Sequence, residues 1–421
     1  MTLRARPRSD AAVTPPPAAG VDAPARWLGP LLAVLAMQTM VTVASRIAPT
    51  LAPAIAERIG WTVTGVGALV TAITVGSIVF LFAAFPVIRR LGSLRTLQAG
   101  LLCAAAGTLL YAAPTATAAL AGSLLIGIGL GPAAAAGTEV LHRHAPARHR
   151  NLLFSVKQAG VPLGGMLAGL ALPAMAQSWG LAAVAGTMAL AALLVAGSMQ
   201  PLRAGIDAGR DRSHPLGIAE LLARRNLRRP VASLATSPAL RRLGLASAGL
   251  AFGQGAWFAF LVSYLVTAMG WSLTAAGALF ALMQAVSAAG RPLAGWTADR
   301  SGSALRSLRW NCMASALTSF VLAASAPGWP GWAMATLGVV AGLTISSWNG
   351  VAIAHAARIA PPDQVGDTSA GLTLLVFGAQ ALTPVVFGLI ALAGGGLRSG
   401  FAVAGLATLA AVVPLWRVSR S

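Results

Sequence analysis

Residues Gly290 to Arg306 read GRPLAGWTADRSGSALR. They close an apolar run and contain Asp299, the only acidic residue between Glu220 and Asp363. Within the stretch, Gly295 is followed by three residues, then Asp299 and Arg300, one residue more, and Gly302. Glycine permits close backbone approach and a tight turn, and a charged pair at such a place marks the level where lipid gives way to water. A carboxylate there also serves as a plain helix-end cap, and the pattern alone leaves both roles open.

The stretch closely resembles the G-x-x-x-D-R-x-G signature of the major facilitator superfamily, which lies between the second and third helices of each half. Here it would join helices eight and nine. The resemblance covers residues 27 to 416. It implies an all-α membrane protein with twelve transmembrane helices, arranged as two six-helix bundles that rock about a central cavity. It implies no covalent chemistry and no cofactor, and it assigns Gly295, Asp299, Arg300 and Gly302 to a conformational switch at the cytoplasmic mouth.

A second copy lies 210 residues earlier. Gly60-Trp61-Thr62-Val63-Thr64-Gly65-Val66-Gly67-Ala68-Leu69 aligns without gaps on Gly270-Trp271-Ser272-Leu273-Thr274-Ala275-Ala276-Gly277-Ala278-Leu279. At the same offset Arg90 and Gly92 fall on Arg300 and Gly302 and join the switch set, while Arg89 falls on Asp299 and Phe85 on Gly295, so the first copy is degraded. Gln158-Ala159-x-x-Pro162 echoes Gln380-Ala381-x-x-Pro384 at a slightly larger offset. Repeated halves of this length are how such membrane proteins are built, so the chain reads as a duplication.

Of 421 residues, 57% are hydrophobic and 10% charged, with mean hydropathy +0.75. A soluble domain with so little charge would present an apolar sheet to water. Twelve apolar runs, each about long enough for a ~30 Å hydrocarbon core, fall near 27–48, 64–87, 94–113, 117–141, 151–176, 180–200, 243–267, 273–295, 309–326, 331–355, 368–393 and 399–416. Barrel strands would alternate in polarity, so these are helices. The expected order is a disordered cytoplasmic tail over 1–26, an N-terminal six-helix bundle over 27–200, a cytoplasmic linker over 201–242, a C-terminal bundle over 243–416 and a short tail over 417–421. An amphipathic helix is expected near Leu216 to Leu227.

The net charge of +20 invites a nucleic-acid reading, but its distribution argues otherwise. The tails and alternate loops on one side hold 25 of the 30 basic residues, the opposite loops hold Arg58 and Arg398, and Arg46, Lys157 and Arg291 lie within spans. That bias is a topology signal, which puts both termini and the linker in the cytoplasm. A bacterial inner (plasma) membrane, a monomer and no nucleic-acid partner are the expectations. Cys103 and Cys312 occupy different spans and read as free thiols.

The candidate substrate-binding residues are the polar and aromatic groups within the spans: Gln38 and Arg46 in the first, Lys157 and Gln158 in the fifth, Gln254 and Trp257 in the seventh, Trp348 and Asn349 in the tenth. Arg46 either lines the cavity or snorkels to the outer interface. Pro162 cannot donate to the Gln158 carbonyl, which frees that oxygen for a ligand or a Ser/Thr neighbour. Small residues at 160, 164, 165, 168 and 169 make the fifth span a close-packing helix, and Gly127-Ile128-Gly129-Leu130-Gly131-Pro132 does the same for the fourth. The family's usual arginine in the fourth helix is here Ser123, and its antiporter motif G-P-x-x-G-G appears only in shifted form as Gly160-Val161-Pro162-Leu163-Gly164-Gly165.

Lys157 is the only lysine beside 29 arginines. It is expected either to hold a negatively charged substrate or to pair with Glu139, the only acidic residue inside a span. Glu139 and His355 are the candidate coupling groups. No nucleophile–base pair, nucleotide loop or metal-ligand spacing is evident, and the histidines at 142, 144 and 149 read as solvated loop residues, so no enzyme or metal site is expected. The function expected is secondary transport of a small solute, an organic anion for preference. Multidrug or metabolite efflux is the alternative within transport, and a transporter-like receptor is the alternative from another class.

Overall fold

The structure, a computed structural model, describes residues 27–145, 150–221, 223–301, 303–361 and 365–418. The tail over 1–26 and the residues Gly302 and Asp363 lie outside these. Among the described residues all regular structure is helical, and nine helical stretches are long and apolar enough to cross a membrane.

The first half comprises α1 (Leu28–Thr50), a short α2 (Ala52–Ile59), α3 (Gly67–Leu91), α4 (Ser93–Leu110), α5 (Ala116–His144) and α6 (Arg150–Ser198). At 49 residues, α6 is two helices end to end: Gly180 takes φ 78° and ψ 167°, a conformation open to glycine, and breaks it there. The two expected spans over 151–176 and 180–200 therefore meet without a loop. The linker holds α7 (Arg203–Ile206), α8 (Ile218–Leu221) and α9 (Arg224–Ala235). The expected amphipathic helix over 216–227 is thus interrupted, and its longer part runs on to Ala235.

The second half comprises α10 (Pro238–Thr267), α11 (Leu273–Arg300), α12 (Ala304–Ala324), α13 (Gly331–Thr344), α14 (Asn349–Ile359), α15 (Val365–Leu392), α16 (Leu397–Ala410) and α17 (Val412–Val418). Three expected spans differ in helical detail, although two of them remain single apolar stretches, Gly331–Ile359 and Leu397–Arg417. The helix expected over 309–326 begins at Ala304, because the Ser303 side chain accepts from the Arg306 amide and starts it below the apolar run. The run over 331–355 is not one helix: Ser346 and Ser347 fall in the break between α13 and α14, and the Ser347 hydroxyl donates to the Gly342 carbonyl at 2.9 Å, competing for the backbone. The run over 399–416 is split at Ala411, three residues before a proline that has no N–H for the Ala410 carbonyl.

The two copies of the repeat adopt one turn. Gly60 and Gly270 take φ 70° and 72°. In the first copy the Thr62 hydroxyl accepts the Gly65 amide at 3.0 Å and lies 3.2 Å from the Thr64 hydroxyl. In the second, the Ser272 hydroxyl accepts the Ala275 amide at 3.2 Å and lies 3.2 Å from the Thr274 hydroxyl. Burial follows the halves as well: one apolar core draws on residues from Ala33 to Ile206, and two others on residues from Leu234 to Leu415.

The glycine run of α5 packs as expected. A Cβ on Gly127 would strike the Ile73 carbonyl of α3, and one on Gly129 the Gly100 carbonyl of α4, so α5 lies backbone to backbone against both. Cys103 and Cys312 are free.

Candidate functional site

The small residues of α6 split between two neighbours. A Cβ at Gly160 would lie 2.9 Å from Gln38 Cγ, and one at Gly164 would lie 2.6 Å from the Thr39 carbonyl, so these positions admit α1. Gly165 and Gly169 admit α11 instead: the Gln284 amide fills the space beside Gly165, and a Cβ at Gly169 would lie 2.6 Å from the Gly277 carbonyl. Without side chains at these positions, α6 of the first half and α11 of the second run in contact.

Two turns along α11 from Gln284, on the same face, is Arg291. Its guanidinium crosses to α6 and donates to the Gln158 carbonyl at 3.0 Å. That oxygen is the one Pro162 leaves without a helical donor. A second arginine reaches across from α1: the Arg46 guanidinium lies 4.3 Å from the centre of the Phe258 ring of α10. That contact sets the Arg46 guanidinium between α1 and α10. The Nε atoms of Arg46 and Arg291 are shielded from solvent and lack a hydrogen-bond partner, as do both polar atoms of the Gln284 amide. The two ion pairs among the described residues, Arg143 with Glu139 and His214 with Glu220, involve neither arginine.

The other sequence candidates fall in three places. Lys157 is 3% exposed and donates to the Thr138 hydroxyl at 2.8 Å, on the side of α6 that meets α5. It does not pair with Glu139, which is tied to Arg143 one turn further along α5. Gln38 is buried in α1, its amide 3.4 Å from the Thr42 hydroxyl.

In the second half, Gln254, Asn349 and Gln380 come together. The Gln254 Oε1 accepts from Asn349 at 3.4 Å and from Gln380 at 3.2 Å, joining α10, α14 and α15. Trp257 is placed apart from them. Its indole N–H donates to the Ser319 hydroxyl of α12 at 3.0 Å and its ring packs edge-on against Phe401 of α16, a core position away from the first half. Trp348 is also in the core, with an indole N–H that lacks a partner. His355 Nδ1 faces the Arg358 guanidinium at 3.0 Å, and its Nε2 is shielded and unpartnered.

At the signature, Arg300 stacks on Trp296 at 5.4 Å. Asp299 falls within α11, but its side chain lies outside the described residues. Gly295 faces open space, so the close helix approach expected there is not made in this conformation. In the degraded copy Arg89 stacks on Phe85 at 5.6 Å, and Arg90 lies in the last turn of α3, which ends at Leu91 before Gly92 with φ 90°.

The sequence alone puts Arg291 within a span and assigns neither it nor Gln284 to the site. Their spacing of seven, which puts both on one helix face, was the available signal. Phe258 carried none, being one aromatic among many in α10.

A family model described as Major Facilitator Superfamily matches residues 31–358. Two transporters of Mycobacterium tuberculosis, from strains CDC 1551 / Oshkosh and H37Rv and both named uncharacterized MFS-type transporters, are each 29% identical over 228 residues, 52% of this chain and 48% of theirs. The match thus spans about half the length of these curated relatives. Among solved structures, the peptide transporter POT in complex with sulfate has a TM-score of 0.72 at 17% identity, covering 93% of this chain and 94% of that one. A POT family transporter in complex with 5-aminolevulinic acid has a TM-score of 0.70 at 14% identity, covering 94% and 96%. At such low identities the likeness speaks for the fold, and together with the family match and the apolar helices it leads to one conclusion: this chain is a multi-pass membrane protein of the Major Facilitator Superfamily.

Proposed function

We propose that the protein moves a small organic anion across a bacterial inner membrane by alternating access, as a monomer, with Arg46 and Arg291 as the anion-binding pair. The observation that carries this reading is the pair itself. Two guanidiniums, one from each half, have shielded Nε donors and no carboxylate partner among the described residues. A cation inside a membrane protein costs several kcal/mol unless something pairs with it, and guanidinium suits carboxylate and phosphate in bidentate geometry. A bound anion would satisfy these shielded Nε donors.

The same geometry supports a route to movement. Arg291 now holds the Gln158 carbonyl across the two halves. An anion competing for that guanidinium loosens this tie, and a ligand shifts a conformational equilibrium only through such differential contacts. On this reading the twelve spans form two six-helix bundles over 27–200 and 243–416, joined by the linker over 201–242, with both termini cytoplasmic. The helix ends away from the linker are packed shut: a Cβ at Gly67 would lie 2.8 Å from both Phe260 and Pro384, and the Thr71 hydroxyl donates to the Ala381 carbonyl at 3.0 Å. This is the arrangement of a state closed to the outside.

Gln254, Asn349 and Gln380 supply a neutral polar wall for the rest of the substrate, and Lys157 adds positive potential from behind α6. The signature residues Asp299, Arg300 and Gly302, with Arg90 and Gly92, act in switching. Glu139 is tied to Arg143, so exchange or facilitated movement is favoured over proton coupling through it, which leaves His355, in the second half, as the other coupling candidate.

The test is a thermal-stability screen of the purified protein against mono- and dicarboxylates, organic phosphates, amino acids, sugars and cationic drugs. A ligand at 100 times its dissociation constant adds roughly 2.7 kcal/mol of stability. Carboxylates or phosphates should stabilise the wild type and have little effect on Arg46→Gln/Arg291→Gln. Stabilisation by cationic drugs alone would favour efflux and overturn the anion reading.

A further inference from the structure

A crevice of about 470 Å³ opens on the outside of the second half, between α10 and the broken α16–α17 pair, far from Arg46 and Arg291. Its wall is apolar and small: Leu245, Gly249, Ala407, Ala410, Ala411, Val413 and Pro414. The floor forms where Gly249 lets the two helices touch, since a Cβ there would lie 2.8 Å from Ala411 Cβ and 2.9 Å from the Ala407 carbonyl. Below that point the helices leave room, because helix α16 stops at Ala410 and resumes only at Val412.

The mouth of the crevice is charged. Arg242 and Arg417 both line it, and Arg242 donates from Nη1 to the Arg417 carbonyl at 2.8 Å, which sets the two basic residues side by side. Among the described residues no acidic one lines the crevice. Arg309 lies 4.3 Å over the Trp416 ring, adding a third cation and an interfacial aromatic at the same level. In addition, Pro414 leaves the Ala410 carbonyl, on the crevice wall, without its helical donor. An apolar trough that ends in two neighbouring arginines at the headgroup level matches one occupant in particular, a lipid with an acyl chain and a negative headgroup.

We propose that this crevice seats an anionic phospholipid from the leaflet bordering the linker, its phosphate held by Arg242 and Arg417 and one acyl chain laid along Leu245, Gly249 and Ala407. The lipid stabilises the broken end of the last helix against α10. The site makes no use of the substrate-binding residues, so it stands whether or not the anion reading of the central site does.

The experiment is native mass spectrometry of the full chain released from mixed nanodiscs of phosphatidylglycerol and phosphatidylcholine, with thermal midpoints measured in parallel. Wild type should retain phosphatidylglycerol over phosphatidylcholine, and its midpoint should rise with added phosphatidylglycerol. Arg242→Gln/Arg417→Gln should lose that preference by roughly tenfold, each basic residue near the surface contributing on the order of one lipid-charge contact. Ala410→Phe, which fills the crevice and leaves both arginines, should also lose the bound lipid. Arg224→Gln/Arg228→Gln, in the linker and outside the crevice, should behave as wild type.

Equal retention of the two lipids by wild type would overturn the proposal, a comparison that holds even if a variant fails to fold. So would displacement of the lipid by millimolar inorganic phosphate, which would make the site a free-anion site. A lipid-free dimer broken by Ala410→Phe would assign the face to a second copy instead.

Discussion

The Asp207 carboxylate fills the space that a side chain at Gly92 would need. Its two oxygens accept the Leu94 amide at 2.8 Å and the Arg95 amide at 3.1 Å, so a linker residue caps the first turn of α4. Close by, the Asp211 amide donates to the Arg89 carbonyl at 2.9 Å. The first copy of the signature has Arg89 where the second has Asp299, and at this corner the carboxylate comes from the linker. Asp207→Ala should lower stability by about 1–2 kcal/mol, the usual worth of a helix cap. Gly92→Ala should cost more, because φ 90° is strained for alanine and the new methyl displaces the carboxylate. Thermal unfolding in detergent measures both, and an unchanged midpoint in Asp207→Ala would show that the cap is dispensable.

Gly165 is the point where α6 admits the Gln284 amide. Gly165→Val should push α11 away from α6 and break the Arg291 contact with the Gln158 carbonyl. The expected result is normal expression with uptake reduced at least tenfold and with accessibility of the central arginines raised, read by glyoxal labelling. Gly186→Val is the control, since nothing lies within 4 Å of a Cβ there. Equal activity in the two variants would mean that the α6–α11 contact has no part in transport.

Lys157 and Arg291 should separate by degree. Lys157 already donates to the Thr138 hydroxyl, on the side of α6 facing α5, whereas Arg291 keeps a shielded Nε free. Arg291→Gln should weaken substrate binding by one to two orders of magnitude, about 1.4–2.8 kcal/mol. Lys157→Gln should weaken it by less than tenfold, as the loss of a potential without a contact would. Isothermal titration with the ligand found in the stability screen decides the order, and the reverse ranking would return Lys157 to the centre of the site.

Topology is predicted from the basic residues, 25 on one side against two on the other. A phosphatase reporter active only outside the cytoplasm should be silent after Arg420 and active when inserted at Pro114, between α4 and α5. Activity at the C-terminal fusion would invert the assignment and with it the direction in which the closed face points.

Much of the helix plan was legible because lipid imposes it: an apolar run of about 20 residues has few alternatives to a helix. The breaks were less legible. Ser346 and Ser347 read as polar residues inside a span, yet they end a helix there because a buried hydroxyl takes the nearest carbonyl, Gly342. Pro162 was legible to the atom on one side, since proline chemistry frees the Gln158 carbonyl, but the donor expected was a ligand or a hydroxyl. The donor present is Arg291, which lies 133 residues away and on the other half.

By itself, then, the amino-acid order determined a membrane chain of repeated halves, its helices, its charge asymmetry and the turn that Gly60 and Gly270 share. These depend on local chemistry: apolar run length, the φ that glycine allows, and a hydroxyl three residues before the amide it caps. Only the tertiary structure decided which of the polar residues meet. It set Arg46 on Phe258, Arg291 against α6 and Trp257 away from the first half, and it brought Asp207 to Gly92. A side chain in a span costs about the same to bury whichever way it points, until the packing of glycine-faced helices selects the neighbour that it will meet.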